Sequence, residues 1–122
     1  MSLFYIIDEV AEDGDVLVLL AGGELDYAAA PQLRTAIGGH SAGAGRRVVL
    51  DLSQVTFIDS TAIGVIVGGL TNLREAGDGS LAFVCAEENA RVMRIFDIAG
   101  VSNLLDVYSS REEAFSALAT AG

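Results

Sequence analysis

Residues 48–73 read VVLDLSQVTFIDSTAIGVIVGGLTNL, and the reading of this stretch decides the fold. Val48-Val49-Leu50 is a short apolar run with two β-branched residues, as a buried strand requires. It passes through Asp51 to Phe57-Ile58-Asp59-Ser60-Thr61, and a second, longer apolar segment follows at once. The Asp-Ser-Thr hinge sets three consecutive short polar side chains just before the second apolar segment. A buried strand feeding a helix through such a hinge sets the hydroxyls at the helix N-terminus. Backbone N–H groups there lack intrahelical partners, and the macrodipole favours negative charge. Ile63 to Val67 is rich in β-branched residues and suits a strand as well. The apolar pattern persists to Leu73, too long for one strand, and favours a helix.

Working outward, Val48–Leu52 is expected as a strand opened by Arg46-Arg47. A helix over 60–76 follows, ended by Gly77-Asp78-Gly79. Upstream, Leu3–Val10 and Val16–Ala21 form an antiparallel hairpin around the turn cluster 11–15. Gly22 to Asp26 closes the second strand. Asp26 then caps a helix over 27–38, with Pro31 in its first turn and Leu33 and Ile37 as its apolar stripe. Residues 40–45 are small and form a loop. Downstream, Leu81–Cys85 is a strand and Glu87–Ala99 a helix. That helix buries Val92, Ile95 and Phe96, with Met93 beside them, and stops at Gly100. Leu104–Tyr108 is the last strand. Ser109 or Ser110 caps a final helix with Glu112-Glu113 in its first turn and Phe115 and Leu118 facing inward. The order β-β-α-β-α-β-α-β-α calls for an α/β fold, a mostly parallel sheet with an N-terminal antiparallel hairpin. No repeat or linker divides the chain, so one domain over residues 1–122 is expected.

The net charge is −10, from seventeen acids against seven arginines and no lysine. Nucleic acid would be repelled, whereas a basic protein partner, or plain solubility, suits such a surface. The absence of lysine rules out a Schiff base, a phosphate-loop lysine and a lysine general base. The single Cys85 rules out an internal disulfide and reads as a buried, inert thiol in a reducing compartment. No window reaches the ~18 uninterrupted apolar residues of a membrane span. No basic region precedes an apolar one at the N-terminus, so a cytoplasmic protein without a membrane partner is expected.

Catalytic chemistry is hard to assemble from these residues. Ser60 as a nucleophile needs a base, and the only histidine, His40, lies in the 40–45 loop. No Gly-x-Ser-x-Gly elbow surrounds Ser60. One cysteine and one histidine cannot build a thiolate or imidazole metal site. The acid pairs Asp8-Glu9, Glu87-Glu88 and Glu112-Glu113 read as solvated faces. Gly22-Gly23 lacks the spacing of a dinucleotide fingerprint or a phosphate loop. The expectation is a protein that is not an enzyme, with no catalytic residue, metal or cofactor.

Binding chemistry is easier to find. Gly64, Gly68 and Gly69 lie inside the expected helix, where each costs roughly 1 kcal/mol relative to alanine. Ile63, Ile66, Val67, Leu70 and Leu73 form a stripe toward the sheet, while Thr61, Gly64, Gly68 and Asn72 form another that begins at the hinge. The bare stripe serves either close packing within the chain or the approach of another chain. Ser60 serves either as a helix cap or as a phosphorylation site, since a phosphoserine adds about −1.5 to −2 charge at an end that accepts it.

The stretch Asp51-Leu52-Ser53-Gln54-Val55-Thr56-Phe57-Ile58-Asp59-Ser60-Thr61-Ala62-Ile63-Gly64-Val65 resembles anti-sigma factor antagonists of the STAS-domain family. The family signature runs Asp-Leu-Ser, a short spacer, then Asp-Ser-Ser/Thr-Gly-Leu-Gly. Gly23-Glu24-Leu25-Asp26, Phe83-Val84-Cys85 and Ile95-Phe96-Asp97-Ile98-Ala99-Gly100-Val101 extend the likeness across nearly the whole chain. The resemblance implies a partner switch. The unphosphorylated protein binds an anti-sigma factor that is also a serine kinase of the histidine-kinase-like ATPase fold. Phosphorylation at Ser60 ends that binding, and a serine phosphatase resets it. By position Asp26, Asp59 and Thr61 surround the site, and Ala62, Gly64 and Gly68 continue the binding surface. Ala62 stands where the family usually has glycine, which implies tuning of the hinge or of the kinase's approach. The same fold also occurs as a scaffold or sensor module binding a small ligand or a signalling complex, which the motif does not separate from the first role.

Overall fold

In a computed structural model describing residues 3–10, 16–39, 47–75 and 79–120, the hinge joins a long strand to a long helix. Strand β3 (Arg47–Ile58) leads through the hinge into helix α2 (Ser60–Glu75). Before them come β1 (Phe4–Val10), β2 (Val16–Leu25) and α1 (Ala30–Gly39); after them come β4 (Ser80–Val84), α3 (Ala90–Ile98), β5 (Asp106–Tyr108) and α4 (Arg111–Thr120). The five strands lie in sequence order in one sheet. β1 and β2 pair antiparallel, and β2–β3, β3–β4 and β4–β5 pair parallel. This is the expected α/β architecture and element order.

Alternation along the strands divides the interior. Leu17, Leu19, Val48, Leu50, Leu81 and Phe83 point to one face, where Leu33 and Ile37 of α1, Ile66 and Leu70 of α2, and Val92 and Phe96 of α3 cover them. Val16, Val18, Val49, Ala82 and Val84 point to the other, where Ala114 and Leu118 of α4 cover them. Strands buried on both faces read as unbroken apolar runs, which is why Val48-Val49-Leu50 does not alternate.

Several boundaries differ from the sequence reading. β2 continues through Gly22-Gly23 to Leu25, and β3 continues from Leu52 to Ile58. The two extensions pair with each other, with register shifts at Leu20/Gly22 and Gly23/Glu24. α1 begins at Ala30 rather than at residue 27, because Asp26 first holds a separate turn: its carboxylate accepts the Ala28 N–H (3.0 Å) and its carbonyl the Ala29 N–H (3.0 Å). The helix expected over 87–99 is a 3₁₀ turn, Glu87–Asn89, followed by α3. There the Asn89 amide donates to the Leu52 carbonyl (3.1 Å) and the Val55 carbonyl (2.7 Å), satisfying β3 where it outruns β4. Ser102–Leu104 is likewise a 3₁₀ turn, which shortens β5. Ser110, not Ser109, caps α4 by accepting the Glu113 N–H (3.2 Å), and Ser109 bonds the Glu113 carboxylate instead. The turn cluster 11–15 and the loop 40–45 lie outside the described residues.

The α2 glycines serve two purposes. A Cβ built on Gly69 would stand 2.6 Å from Ile37 Cγ2, so Gly69 lets α1 and α2 close together. Gly64 and Gly68 would meet nothing within 4 Å. Gly69→Ala is therefore expected to destabilise by about 1–2 kcal/mol, overpacking outweighing the gain in helix propensity. Gly64→Ala should stabilise by about 0.5–1 kcal/mol. Urea unfolding of the two variants checks the opposite signs.

Candidate functional site

β2 and β3 end side by side, Leu25 opposite Ile58, so Asp26 and Asp59 leave the same end of the sheet on adjacent parallel strands. The Asp59 N–H donates to the Leu25 carbonyl (3.2 Å), continuing the ladder by one residue. The Asp59 carboxylate then works in two directions. Its Oδ1 accepts the Ala62 N–H (3.0 Å), the bond of a helix N-cap, and its Oδ2 accepts the Tyr27 N–H (2.9 Å). The cap is thus Asp59, and Ser60 is free of that duty. Ser60 is the first residue of α2 and is exposed, as is Thr61.

Asp59→Ala should lower stability by about 1–2 kcal/mol by removing the cap of α2 and the tie to Tyr27. Asp59→Asn should recover most of the loss, because the amide oxygen still accepts one of the two bonds. Thermal melts of the two variants decide it.

From Ser60 a groove of about 380 Å³ runs between α1 and α2, with Thr61, Gly64, Gly68 and Asn72 along α2 and Arg34 and Gly38 along α1. The bare stripe therefore lines open space at Gly64 and Gly68, while Gly69 provides the packing within the chain. Of the site residues expected from sequence, Asp26, Asp59, Ser60 and Thr61 meet at the end of the sheet, and Gly64 and Gly68 continue from them. Ala62 does not belong with them: it is fully buried, its methyl turned to the core. It cannot line a docking surface, because its side chain packs within the core cluster.

Two residues of this neighbourhood were not singled out by sequence. Tyr27 projects beside the hinge with 74 % of its surface exposed. Arg34 lines the groove, a base in a chain dominated by acids. Arg34 carried no local signal, because its place in the groove depends on α1 packing beside α2. Tyr27 had none, because its place depends on a bond to Asp59 across the fold.

A polar cluster lies on the opposite side of β3. Asp51 is buried among apolar neighbours, with Leu20 and Val84 beside it in the sheet. Its Oδ2 accepts from Arg111 Nε (2.9 Å) and its Oδ1 from the Ser53 N–H (3.0 Å), while the other arm of Arg111 reaches Glu9 (3.0 Å). Burial, and then the negative charge of Asp51, push the Cys85 thiol above its ordinary range. Among the described residues no group of three or more His, Cys, Asp or Glu side chains is placed to hold a metal, and no helix is long and apolar enough to cross a membrane.

A sheet of this order, helices on both faces and a hydroxyl at the head of α2 define a known class. The STAS domain family model matches residues 9–114, and the chain belongs to that family. It is similar to the anti-sigma-B factor antagonist of Bacillus subtilis strain 168, 33% identical over 106 residues that cover 87% of this chain and 93% of the relative. The anti-sigma-B factor antagonist of Listeria monocytogenes serovar 1/2a is 30% identical over 95 residues, 78% of this chain and 81% of that one. Among solved structures, an anti-sigma factor antagonist from Mycobacterium paratuberculosis superposes with a TM-score of 0.78 at 26% identity, covering 95% of this chain and 94% of the other.

Proposed function

We propose that this chain is an anti-sigma factor antagonist that works by partner switching. Unphosphorylated, it binds through the Ser60 end of the α1–α2 groove to an anti-sigma factor that is also a serine kinase of the histidine-kinase-like ATPase fold. Phosphorylation of Ser60 ends the binding, and a serine phosphatase restores it. The reading is carried by the position of Ser60, exposed on the first turn of α2 while Asp59 does the capping. Modification of Ser60 therefore removes no hydrogen bond that holds the helix. The added charge of about −1.5 to −2 lies at the positive end of the α2 dipole, so the fold tolerates it. Its bulk and charge then fall on whatever is docked over Thr61, Gly64 and Gly68. The likeness to relatives named as anti-sigma factor antagonists supports the same role.

The test incubates the protein with ATP and each ATPase-type anti-sigma kinase of the same genome, followed by mass spectrometry and a binding assay. The expected product carries one phosphate on Ser60 and no longer binds, while Ser60→Ala is unlabelled and stays bound. A wild-type protein that none of these kinases binds or modifies would refute the reading.

A further inference from the structure

The exposed apolar side chains of the sheet gather on one face. Tyr5 and Ile7 of β1 and Phe57 of β3 are 39, 48 and 45 % exposed. In register, Tyr5 lies beside Gly22 and Gly22 beside Gln54; Ile7 lies beside Leu20, and Phe57 beside Glu24. Successive residues of a strand alternate between faces. These positions therefore share the face on which α4 packs, opposite α1–α3. α4 covers only part of it, over Val16, Val18, Val49, Ala82 and Val84. Beside α4, the strip formed by Ile7, Leu20, Tyr5 and Phe57 has no helix over it among the described residues. Gly22 shapes the strip: a Cβ there would collide with the Tyr5 ring, so its absence lets the ring reach across β2 with its hydroxyl donating to the Gln54 side chain.

The ends of the strip carry acids, Glu24 beside Phe57 and Glu9 beyond Ile7. The base at this border, Arg111, is already paired with Asp51 and Glu9. An apolar strip with an unneutralised acid at the Glu24 end, on a chain of net charge −10, complements a basic partner and repels a second copy of itself.

We propose that this face docks a basic protein partner, through an amphipathic helix that lies beside α4 and completes its layer. Apolar residues at i, i+3, i+4 and i+7 seat on Tyr5, Ile7, Leu20 and Phe57, and flanking lysine or arginine meets the exposed Glu24. Ser60 and the α1–α2 groove belong to the helices of the opposite face. The two docks act independently, and occupancy here does not depend on the state of Ser60.

The probe is a synthetic helical peptide with leucine at the apolar positions and lysine elsewhere, titrated into the isotope-labelled full chain and followed by NMR. The expected result is amide shifts concentrated at Tyr5, Ile7, Leu20 and Phe57. Affinity should fall about tenfold or more in Ile7→Lys and in Phe57→Ser, each verified as folded by circular dichroism, and change less than about twofold in Ser60→Asp. Should Ile7→Lys fail to fold, Phe57→Ser carries the comparison. Shifts spread over the acidic surface, or affinity unmoved by both variants, would overturn the proposal. Loss of peptide binding in Ser60→Asp would overturn the independence of the docks. A wild-type dimer in sedimentation that Ile7→Lys dissolves would assign the face to a second copy instead. None of these outcomes depends on whether a kinase modifies Ser60.

Discussion

Arg111→Met is expected to destabilise the fold by about 2–3 kcal/mol, lowering the melting temperature by roughly 10 °C. The side chain of Asp51 is only 8 % exposed, and Arg111 supplies its charge partner. Removing the guanidinium leaves a carboxylate buried between Leu20 and Val84 with one remaining bond, from the Ser53 N–H. Breaking a fully buried pair costs about 3–5 kcal/mol; the smaller figure applies because Arg111 itself is one-third exposed. The position also explains an oddity of α4, a cation on the first turn of a helix, where the macrodipole opposes it. Asp51 and Glu9 offset that penalty. The double variant Asp51→Leu with Arg111→Met should recover most of the loss, since replacing both charges by apolar groups removes the desolvation cost along with the attraction. Denaturant unfolding of both single variants and the double variant closes the cycle. Equal losses in Arg111→Met and in the double variant would show that packing of the arginine stem, and not the charge pair, holds α4 to the sheet.

How much of this was legible depends on the range of the interaction involved. The β3–α2 unit was readable because its signals are local: an apolar run, a polar hinge, then apolar residues at three- and four-residue steps. The Asp59 cap was readable in principle too, since an N-cap and the amide it holds lie within one turn. The ends of β2 and β3 were not. Gly22-Gly23 looks like a terminator, yet it continues the ladder because Tyr5, from another strand, lies over Gly22. The Asp51–Arg111 pair spans 60 residues of sequence and leaves no pattern in either neighbourhood. Ala62 shows the limit of a motif. The resemblance placed it in the binding surface, but motif position does not tell which way a helical side chain points, and here it points to the core. The glycine stripe divided for the same reason: only the approach of Ile37 from α1 separates the packing role of Gly69 from the open positions 64 and 68.

Under the proposed partner switch, Ser60→Asp is expected to weaken binding of the proposed kinase partner by at least about 100-fold, while the melting temperature stays within about 2 °C of the wild-type value. The two halves of this result have separate causes. Stability is preserved because Asp59 Oδ1 already holds the Ala62 N–H and Oδ2 the Tyr27 N–H, so position 60 contributes no bond that the substitution removes. A carboxylate on the first turn of α2 also gains about 0.3–1 kcal/mol from the dipole, which offsets repulsion from the neighbouring Asp59. Binding is lost because the new charge stands at the mouth of the groove, where a docked surface must shed water to reach Thr61, Gly64 and Gly68. A desolvated charge without a partner there costs several kilocalories per mole, enough for the predicted factor. Ser60→Ala supplies the contrast, with affinity unchanged within about threefold and no response to ATP. Were Ser60→Asp to unfold the protein, the tolerance argued from the Asp59 cap would be wrong. Were it to bind as tightly as the wild type, the groove could not be where phosphorylation acts, whatever kinase modifies the serine.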